Sequence, residues 1–393
     1  MLWTVQANGK SQLRLLSVSH AMNHVYQLLT PTVAPALIID YGAITAGLLT
    51  TSFLLSYSLL PVVSGYLTQY LGRRNILAFG YAVCGLSFVA VAFTNDLTLL
   101  VILFFIAGAA ASTYHPNGAP ILAETYPTSR GQTLGLHQMG GAVGSFVGPF
   151  VTGLLLASFP WRTTVIIMAM PGLVLAAVLW FSISPKKSSP DVGRPKANMR
   201  IGDLKHYGAA IIFIIAAFIY VLGQRGTDAF GNVYFTYGRG IQIAEATLLF
   251  SLLKIAGLFS APICGKLSDI YGRKVVLITL VLVESASLYA LTAVPTMILA
   301  VPCIVFGFAA FGLLTVGEAL LADVTPEKQR ATIFGINLTV NFSPYLFLTP
   351  ILFALPGSYG YSIGFIALSL LMLLSIPLIL RIKWKRSQPS QSV

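Results

Sequence analysis

The chain has 393 residues, of which 56% are hydrophobic and 9% charged, and it carries a formal net charge of +12. A soluble globular chain carries roughly 25% charged residues, so this composition argues against a soluble enzyme or a basic nucleic-acid-binding domain and makes the bilayer the solvent. A spanning helix needs ~20 mostly apolar residues, and twelve such segments leave room for little else.

The first predicted span, 15–38, follows a polar opening and is too long and too polar inside to be a cleaved signal peptide. It contains Ser19, His20, Asn23 and His24; the two histidines, at i and i+4, share one helical face. The second span, 44–68, runs into a basic turn, Gly65-Tyr-Leu-Thr-Gln69-Tyr-Leu-Gly72-Arg73-Arg74. After the third span, 76–94, the fourth, 98–122, carries Tyr114-His115-Pro116-Asn117. The fifth, 131–157, holds His137 and a row of small residues, Gly135, Gly144, Gly148 and Gly153, with Pro149 among them. Such spacing lets helix backbones approach, and the proline is expected to bend the span. The sixth span is 162–184. Counted from either membrane face, His20, His24, His115 and His137 fall at similar depth.

Residues 185–206 form the one long polar stretch, rich in Pro, Lys and Arg, and are expected to link two halves, 1–184 and 207–393. The second half repeats the first in spans 208–236, 243–266, 275–293, 296–321, 331–355 and 359–381. The basic turn returns as Gly265-Lys-Leu-Ser-Asp269-Ile-Tyr-Gly272-Arg273-Lys274. Fixed charge replaces histidine inside this half: Arg225 and Asp228 on the seventh span, Lys254 on the eighth, Glu284 on the ninth and Glu318 on the tenth. Ionised groups at bilayer depth are costly and normally face a cavity or one another. Arg225 and Asp228, at i and i+3, suit a local pair, whereas Lys254 needs a partner or an anionic ligand. Gly223, Gly226 and Gly231 suggest that the seventh span is locally unwound or kinked, and Glu318 lies near the inner gate. The three cysteines, Cys84, Cys264 and Cys303, show no metal-ligand spacing and read as packing residues.

Of the 24 Lys and Arg residues, 20 lie on the side that twelve spans assign to both termini. The positive-inside rule therefore places both termini in the cytoplasm, in the inner membrane of the cell. That topology accounts for the charge without a nucleic-acid partner.

The repeated turn resembles the Gly-x-x-x-Asp-Arg/Lys-x-Gly-Arg/Lys-Arg/Lys loop of the major facilitator superfamily, and the resemblance covers essentially the whole chain. It implies an all-α membrane protein of two pseudo-symmetric six-helix bundles. It also implies that the acid and basic residues of each turn form a latch on neighbouring helix ends. Gln69 stands where the first copy should have an acid, so that latch loses its charge and is expected to rely on amide hydrogen bonds. The glycine row on the fifth span is similar to the antiporter motif of drug-exporting members, with Thr152 in place of one glycine. Ser19-His20, His115-Pro116 and Gln138-Met-Gly140-Gly141 resemble the fosmidomycin-resistance branch, with His24 standing where that branch has an aspartate. In the family fold, spans 1, 4, 7 and 10 line the cavity. The implied site is His20, Asn23, His24, His115, Arg225, Asp228 and Lys254, with Glu284 turned to lipid or neighbouring helices.

Three readings of the histidines stay open: proton exchange, neutral cross-helix hydrogen bonding, and a three-histidine transition-metal site that lacks a nearby carboxylate or cysteine. No metal or cofactor is assigned. The expectation is a monomeric, alternating-access transporter that moves a small organic solute, anionic or zwitterionic, against protons. Proton-coupled uptake of an anionic metabolite and a transport-dead membrane sensor are the alternatives. No nucleophile and base pair or phosphate loop supports enzymatic activity.

Overall fold

In the computed structural model the described residues are 2–183, 207–326, 329–355 and 357–384; the expected linker, 185–206, lies outside them. The first span is a single helix, α1 (Leu2–Tyr41). The second is α2 (Ala43–Leu59) and α3 (Pro61–Leu71), which meet at 53°; Pro61 has no N–H with which to continue the ladder. Then follow α4 (Arg73–Val91), the broken pair α5 (Leu97–Ala111) and α6 (His115–Thr125), α7 (Arg130–Leu156) and α8 (Trp161–Ser182). The second half opens with α9 (Gly208–Val233), which passes into a π-helical turn at Tyr234–Gly238. It continues through α10 (Ile243–Ile255) with α11 (Gly257–Tyr271), then α12 (Arg273–Ala293) and α13 (Ala300–Val324). The last two spans are α14 (Arg330–Phe342) with α15 (Tyr345–Ala354), and α16 (Gly357–Leu373) with α17 (Ser375–Arg381).

Among the described residues ten spans are long and apolar enough to cross a bilayer, and the bent α2–α3 pair makes eleven. Helix α1 supplies the twelfth. Its apolar character is diluted by Ser19, His20, Asn23 and Gln27, all of them buried against neighbouring helices.

The seventh span departs from expectation. Instead of unwinding at its glycines, α9 stays helical through all three, and each makes room for a neighbour: Met372 at Gly223, Leu368 at Gly226 and Phe250 at Gly231. The breaks fall in the second, fourth, eighth, eleventh and twelfth spans, where Pro61, Pro116 and Pro344 stand at or beside three of them.

The halves meet at the end away from the basic turns. Asn232 Nδ2 donates to the carbonyl of Thr32 at 2.5 Å, and Tyr237 Oη donates to that of Pro35 at 2.9 Å. Gly47 lies against Phe353, and Gly153 against Thr247 and Ala244. Toward the basic end Gly135 has nothing within 4 Å, while Leu136 and Met139 are exposed.

The glycine row on α7 thus divides by position. A Cβ at Gly144 would run into the backbone of Ala21, one at Gly140 into that of Ser17, and one at Gly148 would sit 3.0 Å from Cα of Val25. These glycines hold α7 against α1. Gly153 instead faces the other half, and Gly135 is open. Gly144→Val is therefore expected to cost at least about 1–3 kcal/mol by overpacking, since the obstacle is backbone, whereas Gly135→Ala leaves thermal stability unchanged. Melting of the purified variants checks the contrast.

Candidate functional site

Two polar clusters occupy the interior, one in each half. In the first, the i, i+4 spacing on α1 places His24 Nε2 at 3.2 Å from His20 Nε2. The α5–α6 break turns His115 toward them, with ring centroids 5.4 Å from His20 and 5.7 Å from His24. His137 stacks on His20 at 4.4 Å, and its ring nitrogen Nδ1 is buried without a hydrogen-bond partner. His20 and His137 are buried, while His24 and His115 are half-buried.

The surrounding hydrogen bonds fix these rings. His20 Nδ1 lies 3.0 Å from the carbonyl of His137; a carbonyl only accepts, so Nδ1 carries the hydrogen and Nε2 keeps its lone pair. Tyr57 Oη is 3.1 Å from His115 Nε2. Helix α6 is anchored two residues on, where Asn117 accepts from Thr68 at 2.6 Å and donates to Ser64 at 3.2 Å. Tyr114 Oη donates to the carbonyl of Leu16 at 2.5 Å, and Tyr81 to that of Ser19. Gly141 leaves space for the His20 imidazole, since a Cβ there would lie 2.6 Å from Cε1. The equal depth expected of the four histidines is thus realised as one contact cluster.

The second cluster centres on Asp228, which is buried with Arg225 and Lys254. Its Oδ2 accepts from Arg225 at 3.2 Å and from Tyr345 Oη at 2.9 Å, and its Oδ1 from Lys254. Arg225 Nε also donates to the carbonyl of Asn341 at 2.9 Å, one of the last four in α14, which lack intrahelical partners. The guanidinium lies over the Phe342 ring at 4.4 Å. Two cations around one carboxylate leave a net positive charge, the arrangement that attracts an anionic group. Phe342 also reaches Tyr57 across the halves, at 6.0 Å between centroids, so that one aromatic pair connects the clusters.

Of the two surroundings expected for Glu284, lipid or a neighbouring helix, the second is found. Glu284 is fully buried, its Oε2 accepts from Gln224 at 3.3 Å, and its Oε1 has no partner. Glu318 is exposed on α13.

The basic turns are built alike. Gly72 and Gly272 have φ of +78° and +94°, a conformation that favours glycine. Arg73 pairs with Glu124 at 2.5 Å, and Arg273 with Asp323 at 3.3 Å, each at the far end of the half's fourth helix. Arg74 lies 4.5 Å over Trp180, and Lys274 donates to the carbonyls of Leu380 at 2.7 Å and Ile382 at 3.0 Å. Asp269 adds a pair with Arg273 at 2.5 Å. The expected amide hydrogen bonding of Gln69 is not found among the described residues: Gln69 is exposed, and Glu124 supplies the charge to Arg73 instead.

At the opposite end Arg162 and Arg239 cap helices. Arg162 donates to the carbonyls of Val91, Ala92 and Thr94 at the end of α4, and Arg239 to those of Leu291 and Val294 at the end of α12. Sequence reasoning missed Tyr57, Asn341, Phe342 and Tyr345. Nothing in the sequence separates these two tyrosines from the other 15 of the 17 in the chain.

Among the described residues two matching sets of spans joined around a polar centre have the architecture of a secondary transporter. The family profile of the Major Facilitator Superfamily matches residues 16–257 and 213–392, and the chain belongs to that family. It is 25% identical over 276 residues to the fosmidomycin resistance protein of Escherichia coli, an alignment spanning 67% of this chain and 66% of that one. It is 24% identical over 339 residues to the multi-drug resistance efflux pump PmrA of Streptococcus pneumoniae, covering 84% and 83%. In fold it is similar to a bacterial homologue of the human lysosomal transporter Spinster in an inward-facing, unoccupied conformation, with TM-score 0.77, 15% identity and coverage of 97% and 99%. It is also similar to the nucleoside transporter NupG, with TM-score 0.76, 15% identity and coverage of 95% and 99%. The chain is a multi-pass integral membrane protein that carries small solutes.

Proposed function

We propose that the protein exports a small anionic or zwitterionic organic solute in exchange for protons, by alternating access between its halves, 1–184 and 207–393. The observation that carries this reading is the division of the polar centre. Four imidazoles, the side chain whose unperturbed charge change falls nearest neutral pH, gather in the first half, and a carboxylate held between two cations sits in the second. His20, His24 and His115 are the proton-exchanging group, with Asn23 beside them in the cavity; Arg225, Lys254 and Asp228 receive the solute's charge. Among the described residues the hydrogen bonds and close glycine contacts between the halves gather at the end away from the basic turns, which fits a state open toward those turns, and the charge distribution puts them in the cytoplasm. Arg73–Glu124 and Arg273–Asp323 then brace each half at the inner gate. Export rather than uptake is favoured by the efflux pump and the resistance protein among its relatives. The protein works as a monomer in the inner membrane, with both termini cytoplasmic.

Solutes that raise the melting temperature of the purified protein identify ligands, because binding to the folded state stabilises it. Proteoliposomes under an imposed pH gradient then test the coupling. Wild type is expected to accumulate such a solute only while the gradient lasts, and His24→Ala to equilibrate it without accumulating it. Wild-type accumulation by His24→Ala would remove that residue from the coupling.

A further inference from the structure

We propose that His20, His24 and His115 form a three-nitrogen site for a first-row divalent transition-metal ion, with Zn2+ the closest match in donor set. The inference extends the proposed function, because the same nitrogens would exchange protons during transport.

The geometry supports it in four ways. One ligand atom from each of the three rings lies within 4.8 Å of the others. Zn–N bonds of about 2.0–2.1 Å at a tetrahedral angle put two ligand nitrogens about 3.3 Å apart, and the His20 and His24 Nε2 atoms are 3.2 Å apart; His115 alone has to close in. The His20 tautomer is set beforehand, for its Nδ1–H donates to the carbonyl of His137 and Nε2 is left as a lone pair. That is how metal-ligating histidines are normally oriented, through the other ring nitrogen. Third, His24 and His115 are half-buried, which leaves a fourth coordination position open, as three-histidine zinc sites have. Fourth, Oδ1 of Asn23, beside His24 in sequence, is buried without a partner and can accept from a water on the metal.

Charge does not forbid the ion. Lys254, whose field reaches His24 from the other half, is paired with Asp228, and an anion or hydroxide in the fourth position offsets the metal. Neutral imidazole suits Zn2+, Cu2+ and Ni2+ better than Mg2+ or Ca2+, which take oxygen ligands. All three ligands come from α1 and α6 of one half, so the ion would occupy the proton-exchanging nitrogens without bridging the halves.

The test uses tag-free full-length protein in detergent, with no gradient and no solute, so its outcome is separate from that of the flux experiment. Zn2+ near equimolar with protein is expected to raise the melting temperature, and Co2+ to give the visible d–d absorption of a four-coordinate site with nitrogen ligands. His24→Gln and His115→Gln are each expected to weaken both responses by roughly tenfold or more, and Cys84→Ala to leave both intact. Mg2+ is expected to do nothing. Melting without metal shows which variants fold, and either histidine variant alone is decisive. The site is overturned if wild type gives no Co2+ band and no Zn2+ shift at tenfold excess of metal, or if a folded histidine variant binds both ions as wild type does.

Discussion

Asp228→Asn is expected to destabilise the protein by about 3–5 kcal/mol, the cost of stranding a buried charge when its partner is removed. Here two cations are stranded. Arg225 and Lys254 are buried, and both direct hydrogen bonds to the Asp228 carboxylate. Arg225 retains the Asn341 carbonyl and the face of Phe342, so Lys254 loses more. Adding Lys254→Met to Asp228→Asn therefore restores most of the lost stability, while Lys254→Met alone costs less than Asp228→Asn, because the carboxylate keeps Arg225 and Tyr345. Chemical or thermal unfolding of the three variants in one detergent checks the order. Full stability in Asp228→Asn would mean that the triad is solvated and not the closed group described above.

The second large effect is conformational. Gly153 faces Thr247, and an added Cβ would sit 3.1 Å from the Thr247 Cβ; at Gly47 it would sit 2.6 Å from that of Phe353. Both contacts join the halves at the end away from the basic turns. Valine at either position overfills that seam at a cost of about 1–3 kcal/mol, and a difference of that size shifts a two-state equilibrium roughly 5- to 150-fold. Gly153→Val and Gly47→Val should thus favour the state in which this end is open. Spin labels at Ile44 and Met297, exposed residues of different halves, report the change when the three native cysteines have been replaced. A longer distance population is expected in both variants. Distance distributions identical to wild type would show that this seam does not govern the equilibrium.

Much of the fold was legible because the bilayer restricts a spanning chain to closed helices. Periodic apolar stretches and the repeated turn at Gly65–Arg74 and Gly265–Lys274 therefore sufficed for spans and pseudo-symmetry. The site was legible where local spacing determined it: His20 with His24, and Arg225 with Asp228, are neighbours on one helix face. Contacts between distant segments were not. Tyr345 reaches Asp228 from 117 positions away and Arg225 reaches the Asn341 carbonyl across 116, and neither side chain carries a signal beyond its type.

The unwinding expected of the seventh span is not found. Its glycines were read as weak points of the backbone, yet in a membrane bundle glycine also serves close packing, and Met372, Leu368 and Phe250 fill the space. Glu284 was expected against lipid or a neighbouring helix, and α9 is that neighbour, through Gln224. In both places the packing partner lies too far along the chain for spacing to find.

The central claim is that solute movement and proton movement are one exchange. Its most direct test is proton flux measured with a pH indicator trapped in proteoliposomes, while a gradient of a stabilising solute is imposed and no pH gradient is present. The account predicts that solute moving in one direction drives protons in the other, and that this proton signal disappears in His24→Ala while the solute still crosses. Solute transport by the wild type with no accompanying proton movement, or with protons moving in the same direction, would contradict it.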